Sequence, residues 1–264
     1  MATIVKLAQN GYYDGKVFYG TDGSVVGVGM NLKTEEIPSD QYDEEGNYIG
    51  PEGEEYSTTQ TAEEDKLRVS DLDKSVTPYI SEEDENYYMT EESARGDEDT
   101  DYKISIKGEF VSNRFNDNTL RFEKGVVGLY RSNYNGNNLE QESYDSGTSM
   151  FFITTEDEKN LNGDYAAFGK VISGLEIIEQ MLSLPLEEQE TDEEGNNTNT
   201  ITAGTITADD EDKEIVKFAS GSFPVITKAT VETFGVDYGM PEYEEAFDYD
   251  RYMSDLILQY YRNQ

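Results

Sequence analysis

The side chains that usually carry chemistry are unevenly supplied in this 264-residue chain. There is no Cys and no His. That excludes thiolate or imidazole zinc sites, Ser-His-Asp and Cys-His catalysis, and disulfides. Carboxylates abound: 57 Asp plus Glu stand against 20 Lys plus Arg, a formal net charge of −37. With so many acids, any pair at glycosidase spacing is uninformative. Asp43, Glu45 and Glu52 around Gly46 faintly echo a calcium loop. Gln41 would stand at its first ligand position and the spacing is incomplete, so no metal site is expected. No Gly-rich phosphate loop is present. A folded nonspecific DNA or RNA binder is excluded by the missing cationic face, and so is a polybasic membrane anchor. The 20 Tyr and 11 Phe are enough aromatic mass for a real core.

The acid is concentrated. Residues 31–101 hold 24 Asp plus Glu and 5 Lys plus Arg, a net of −19, with few apolar residues and no sustained period. They read as an acidic, weakly ordered insertion with local hairpins at turn signals such as Glu45-Gly46-Asn47. A second acidic stretch covers 187–214, and DEEGN recurs at Asp43–Asn47 and Asp192–Asn196 as two similar turns. The other segments are patterned. Residues 2–9 have helical spacing with Gly11 as a stop, and 16–20 and 25–30 read as strands joined at Asp22-Gly23. Strands are predicted over 102–110, with Ile104 and Ile106 on one face, and over 125–131, 150–155, 165–172 and 224–234. A helix is predicted over 174–183, ended by Pro185, and an amphipathic helix in the tail, with Tyr243, Phe247, Leu256, Ile257 and Tyr260 on one face. No apolar run is long enough to span a membrane.

Five of these segments, in order, resemble the cyclophilin-type peptidyl-prolyl cis-trans isomerases. VKLAQNGYYDGKVF (Val5–Phe18) looks like the family's first helix and the entry to its active strand. IKGEF (Ile106–Phe110) and RFEKGVVGLYRS (Arg121–Ser132) resemble the segment before the substrate groove. SMFFITT (Ser149–Thr155) resembles the Ser-Gln-Phe-Phe-Ile strand, and LNGDYAAFGKVISGLEIIEQM (Leu161–Met181) a further strand and the last helix. ITKATVETFGVDYG (Ile226–Gly239) looks like the closing strand of bacterial members. The resemblance covers somewhat under half of the chain. It implies a mainly β fold, an eight-stranded antiparallel β-barrel capped by short helices, carrying here long acidic insertions and a C-terminal helix. The cyclophilin-like domain would span 1–239, interrupted at 31–101 and 187–214, with 240–264 as a helical tail. It further implies X–Pro isomerisation without a cofactor, in a groove outside a filled barrel.

In the family an Arg guanidinium is thought to weaken the prolyl amide resonance, a hydrophobic pocket holds the proline ring, and Gln and Asn hold the peptide backbone. Residue by residue, that site is eroded. The Phe-His-Arg triplet reads Phe18-Tyr19-Gly20, so the Arg position is a glycine. The pocket Phe and Met read Val25 and Val26, and the Gln reads Val28. The groove's Ala-Asn pair reads Tyr130-Arg131, and the Gln before Phe-Phe reads Met150. The pocket His is Tyr165, and Phe152 and Leu161 are kept. Arg131 could replace the lost guanidinium, but a surface or salt-bridged Arg is the plainer expectation. Tyr19, Tyr130 and Tyr165 could form a flat peptide-binding surface or pack over a dead groove.

The family places two strands before its first helix, whereas Met1 here sits inside that helix. The expected explanations are a fragment or mis-started gene, replacement strands from residues 65–80, or cover from the C-terminal helix. Compartment stays open between bacterial cytoplasm and export. The expected function is that of a divergent, bacterial cyclophilin-like protein with weak or lost isomerase activity. The alternatives are a noncatalytic module gripping proline-containing or extended polypeptide, and an acidic structural or surface protein.

Overall fold

The computed structural model describes residues 1–39, 55–76, 78, 102–134, 138–191, 197–202 and 215–262. The calcium-loop echo at 43–52 and both DEEGN turns lie outside the described residues.

The chain opens with helix α1 (Ala2–Gln9), which buries Leu7. Gly11, at φ 75°, stops it. Its N–H bonds to Ala8 O and that of Tyr12 to Leu7 O, the paired C-terminal closure that a left-handed glycine allows. Strands β1 (Val17–Thr21) and β2 (Val25–Ser39) follow. The turn between them is set by Asp22, whose Oδ1 accepts from the N–H groups of Ser24 and Val25, both at 2.7 Å. Strand β3 (Glu55–Glu63) and the single turn α2 (Val69–Leu72) precede β4 (Ile104–Ser105), β5 (Val126–Arg131), α3 (Glu140–Tyr144) and β6 (Gly147–Thr154). Then come β7 (Ala167–Lys170), α4 (Leu175–Met181), the hairpin β8 (Leu186–Thr191) and β9 (Asn197–Thr202), β10 (Val216–Lys217), β11 (Glu244–Glu245) and α5 (Tyr249–Arg262).

One curled antiparallel sheet carries the fold, in the order β10-β1-β2-β6-β5-β7, with β3 branching from the outer half of β2. The outcome is a curled antiparallel half-barrel of seven described strands with short helices, the mainly β architecture expected. Its concave space is filled by Val17, Tyr19, Val26, Val28, Met150 and Phe218. A second cluster joins α1 and Tyr13 to Leu67, Val69, Leu72, Ile104, Ile106 and Leu129. A third, smaller one sits at β2, β5 and β6.

Four expectations change. Residues 31–39, expected to be weakly ordered, continue β2 and pair with β3 from Asn31↔Glu63 to Ser39↔Glu55. Thr-rich, β-branched sequence holds this arm without apolar alternation, through the ladder and the ion pairs of Lys33, with Glu35 along its own strand and with Glu63 across on β3. Leu67, Val69 and Leu72, inside the acidic stretch, are core residues packed with Leu7. The strand predicted over 224–234 reduces to one bridge, Val17↔Val225, flanked by Phe18 N–H donating to Pro224 O and Ile226 N–H donating to Lys16 O. The strand predicted over 102–110 shrinks to Ile104–Ser105, with Ile104 and Ile106 still buried.

Candidate functional site

The site expected from the sequence divides between two clusters. Val26, Val28 and Met150 point into the main core and are essentially inaccessible, and Phe18 packs partly against it. Positions that would hold a backbone-binding Gln thus carry apolar side chains packed on apolar neighbours, an arrangement that anchors the sheet. Tyr19 joins them at 3% exposure, its ring lying across β2 at Gly27. Its hydroxyl finds no hydrogen-bond partner among the described residues. Burial drives its phenol upward, with Tyr130 next in effect. The three-tyrosine surface considered above therefore lacks one member.

Val25, Phe152, Leu161 and Tyr165 do come together, in the third cluster. The strand register brings them there: Val25 pairs with Thr154, and Phe152 lies between Gly27 of β2 and Gly128 of β5. What the sequence reading missed is the occupant. Phe122, 2% exposed, stacks on Phe152 with centroids 5.6 Å apart, and Ile215 packs beside it. Phe122 lies within the RFEKGVVGLYRS motif, so its aromatic character was visible, but not its direction. Side chains of the chain itself fill the space among the pocket positions.

Gly20 is paired with Lys217 on β10. A Cβ placed there would lie 2.2 Å from Val216 O and 2.9 Å from Lys217 Cα. The backbone of β10 thus closes the position at which the resemblance leads one to expect the family's guanidinium. The polar atom that lies there is a carbonyl oxygen, an acceptor rather than a donor.

Arg131 is neither a free surface residue nor ion-paired with any described carboxylate. Its guanidinium lies over three rings, 4.6 Å from the centroid of Tyr165, 5.3 Å from Tyr144 and 5.6 Å from Phe110. Nε donates to Asp164 O at 2.9 Å and Nη1 to Ser132 O at 3.4 Å. β2 and β6 separate β5 from β1, a path of roughly 14 Å at the usual strand spacing, so Arg131 does not stand in Gly20's place. Tyr130, half-buried, packs toward the main core. Phe110, Tyr144 and Asp164 went unrecognised in the sequence, because nothing in their spacing announces that they converge on Arg131.

A second polar cluster lies on the far side of β2. Lys16, 5% exposed, donates from Nζ to Asn31 Oδ1 and Asp65 Oδ2, each at 2.7 Å, above the Tyr12 ring. The hydroxyls of Tyr12 and Ser149 share a 2.8 Å hydrogen bond, and that of Tyr13 donates to Ser149 O. These groups are mutually satisfied. They fasten the segment after β3 to the sheet, with burial raising the phenols of Tyr12 and Tyr13.

A curled antiparallel sheet with few short helices is a mainly β architecture consistent with the cyclophilin fold. Residues 1–206 match the family model for cyclophilin type peptidyl-prolyl cis-trans isomerase. The chain belongs to that family. Among curated relatives, a peptidyl-prolyl cis-trans isomerase of Rhizopus delemar is 30% identical over 86 residues, 28% of this chain and 25% of its own. A peptidyl-prolyl cis-trans isomerase-like 3 of Gallus gallus is 32% identical over 32% of this chain and 47% of its own. The protein of the same description from Dictyostelium discoideum is 37% identical over 17% of this chain and 29% of its own. The matches thus span between a quarter and about half of those relatives. A solved cyclophilin-type isomerase from Cryptosporidium parvum, in the presence of the dipeptide Ala-Pro, aligns with 85% of this chain and 82% of its own at 15% identity, with a TM-score of 0.32. Among the described residues no helix is long and apolar enough to cross a membrane.

Proposed function

We propose that this protein is a cyclophilin whose prolyl isomerase activity is weak or absent. The uncatalysed reaction crosses a barrier of about 20 kcal/mol, because the prolyl amide has partial double-bond character. A catalyst must bind the twisted amide better than either planar form, and in this family a cationic donor does so. The observation that carries the proposal is Gly20: no side chain leaves that position, and Val216 O lies beside it. The filling of the pocket positions by Phe122 supports the same reading. Loss of one preorganised donor lowers rate by about 10²–10³. A protease-coupled assay on a proline peptide, run beside an active cyclophilin, tests this. The expected kcat/KM is at least about 10²-fold lower. A value within tenfold of the active enzyme would refute it.

A second reading is noncatalytic binding of extended or proline-containing polypeptide. It is favoured by Tyr165, Leu161 and Arg131, which keep partly exposed apolar, aromatic and cationic groups beside the filled pocket. Binding without turnover would distinguish it from a purely structural role.

A further inference from the structure

We propose that Arg131 is a carboxylate-binding subsite for the polypeptide that the second reading invokes, on which this inference rests. The guanidinium offers five N–H donors in a planar fork. Two are used within the protein, by Asp164 O and Ser132 O, both backbone carbonyls. The neighbouring acids are turned elsewhere. Asp164 Oδ1 accepts from Ser112 Oγ at 2.6 Å, and Asp145 Oδ1 from Asn113 Nδ2 at 2.7 Å. Glu140 Oε1 accepts from the Tyr144 hydroxyl at 2.7 Å. In a chain with 57 acidic residues, a half-buried Arg with no described carboxylate within 4.0 Å is therefore a feature of the packing rather than of supply. The rings beneath it fix the plane of the fork, so little side-chain freedom remains to be lost on binding. A planar, fixed, unpaired guanidinium suits the two oxygens of a carboxylate. Tyr165 meets Phe152 edge-on, with centroids 5.6 Å apart, so the subsite adjoins the filled pocket. A chain lying along Leu161 and Tyr165 would present an acidic side chain or its terminal carboxylate to Arg131.

Three otherwise identical proline peptides, titrated into the full chain by calorimetry and by NMR, test this. One is neutral throughout, one carries Asp in place of Asn beside the proline, and one has a free C-terminus in place of the amide. At least one carboxylate peptide is expected to bind about tenfold tighter than the neutral one, with shifts at Arg131 Nε and Tyr165. Which one gains identifies the source of the carboxylate. Arg131→Gln should abolish the preference, so that all three peptides bind the variant equally, whatever its overall affinity. Arg131→Lys, which keeps charge but not the fork, should retain only part of it, and thermal melts of both variants control for folding. Equal binding of all three by the native protein overturns the subsite while the binding reading stands. No binding of any peptide at millimolar concentration overturns both.

Discussion

Gly20 and Tyr19 are adjacent, and each makes a claim that one substitution can test. Restoring the family's side chain by Gly20→Arg should not restore catalysis, because its Cβ would collide with the β10 backbone. Backbone cannot yield as a flexible side chain does, so a loss of about 3 kcal/mol or more is expected in urea titration, with no gain in isomerase rate. Tyr19 predicts the reverse. Its buried hydroxyl has no partner among the described residues, so Tyr19→Phe should leave stability unchanged or raise it by about 1 kcal/mol. The same packing fixes an alkaline limit. Burial raises the phenols of Tyr12, Tyr13 and Tyr19. The native protein therefore holds these protons at a pH where the unfolded chain, with phenols near 10, has begun to release them. Stability is full below about pH 10 and falls above it. Tyr19→Phe should make that fall shallower in melts followed by far-UV circular dichroism; an unchanged slope would contradict the assignment.

The elements differ in what fastens them, and Lys16 shows how the acidic arm is held. Asp65→Asn leaves the buried ammonium facing a neutral amide. It should cost about 2 kcal/mol, below the 3–5 of a fully buried pair because Asp65 is 39% exposed. Lys16→Met should cost less, since the orphaned Asp65 can rehydrate. Equal losses in urea titrations of the two variants would contradict a latch built on the buried lysine. Elements with one buried face were legible in the sequence: α1, β5, β6 and α4 all lie within two or three residues of their predicted places. β3 and the outer half of β2 were not, since a solvated two-stranded arm has no apolar face to betray it. Leu67, Val69 and Leu72 were half-visible as mild apolar content among acids, but their burial depends on α1, some sixty residues earlier. Phe122 and β10 were illegible as the groove's fillers for the same reason. Both act through non-local packing, and a two-residue strand such as Val216–Lys217 has no period to read.

At the level of the whole molecule, the net charge of −37 opposes compaction. Raising salt from low to near-molar concentration should therefore stabilise the fold, by roughly 1 kcal/mol or about 2–4 °C in melting temperature. A melting temperature that falls with salt would mean that ion pairs, not self-repulsion, dominate. The family was legible from ordered motifs, and the proposed loss of its Arg rests on one triplet, Phe18-Tyr19-Gly20. That a neighbouring strand also closes the position needed the structure. Exchange NMR on a proline peptide with the protein at stoichiometric concentration reads cis–trans interconversion and binding together. The expected result is exchange at least about 10²-fold slower than an active cyclophilin gives at equal concentration, even when the peptide is bound. Exchange accelerated to the rate produced by an active cyclophilin at equal concentration would contradict it.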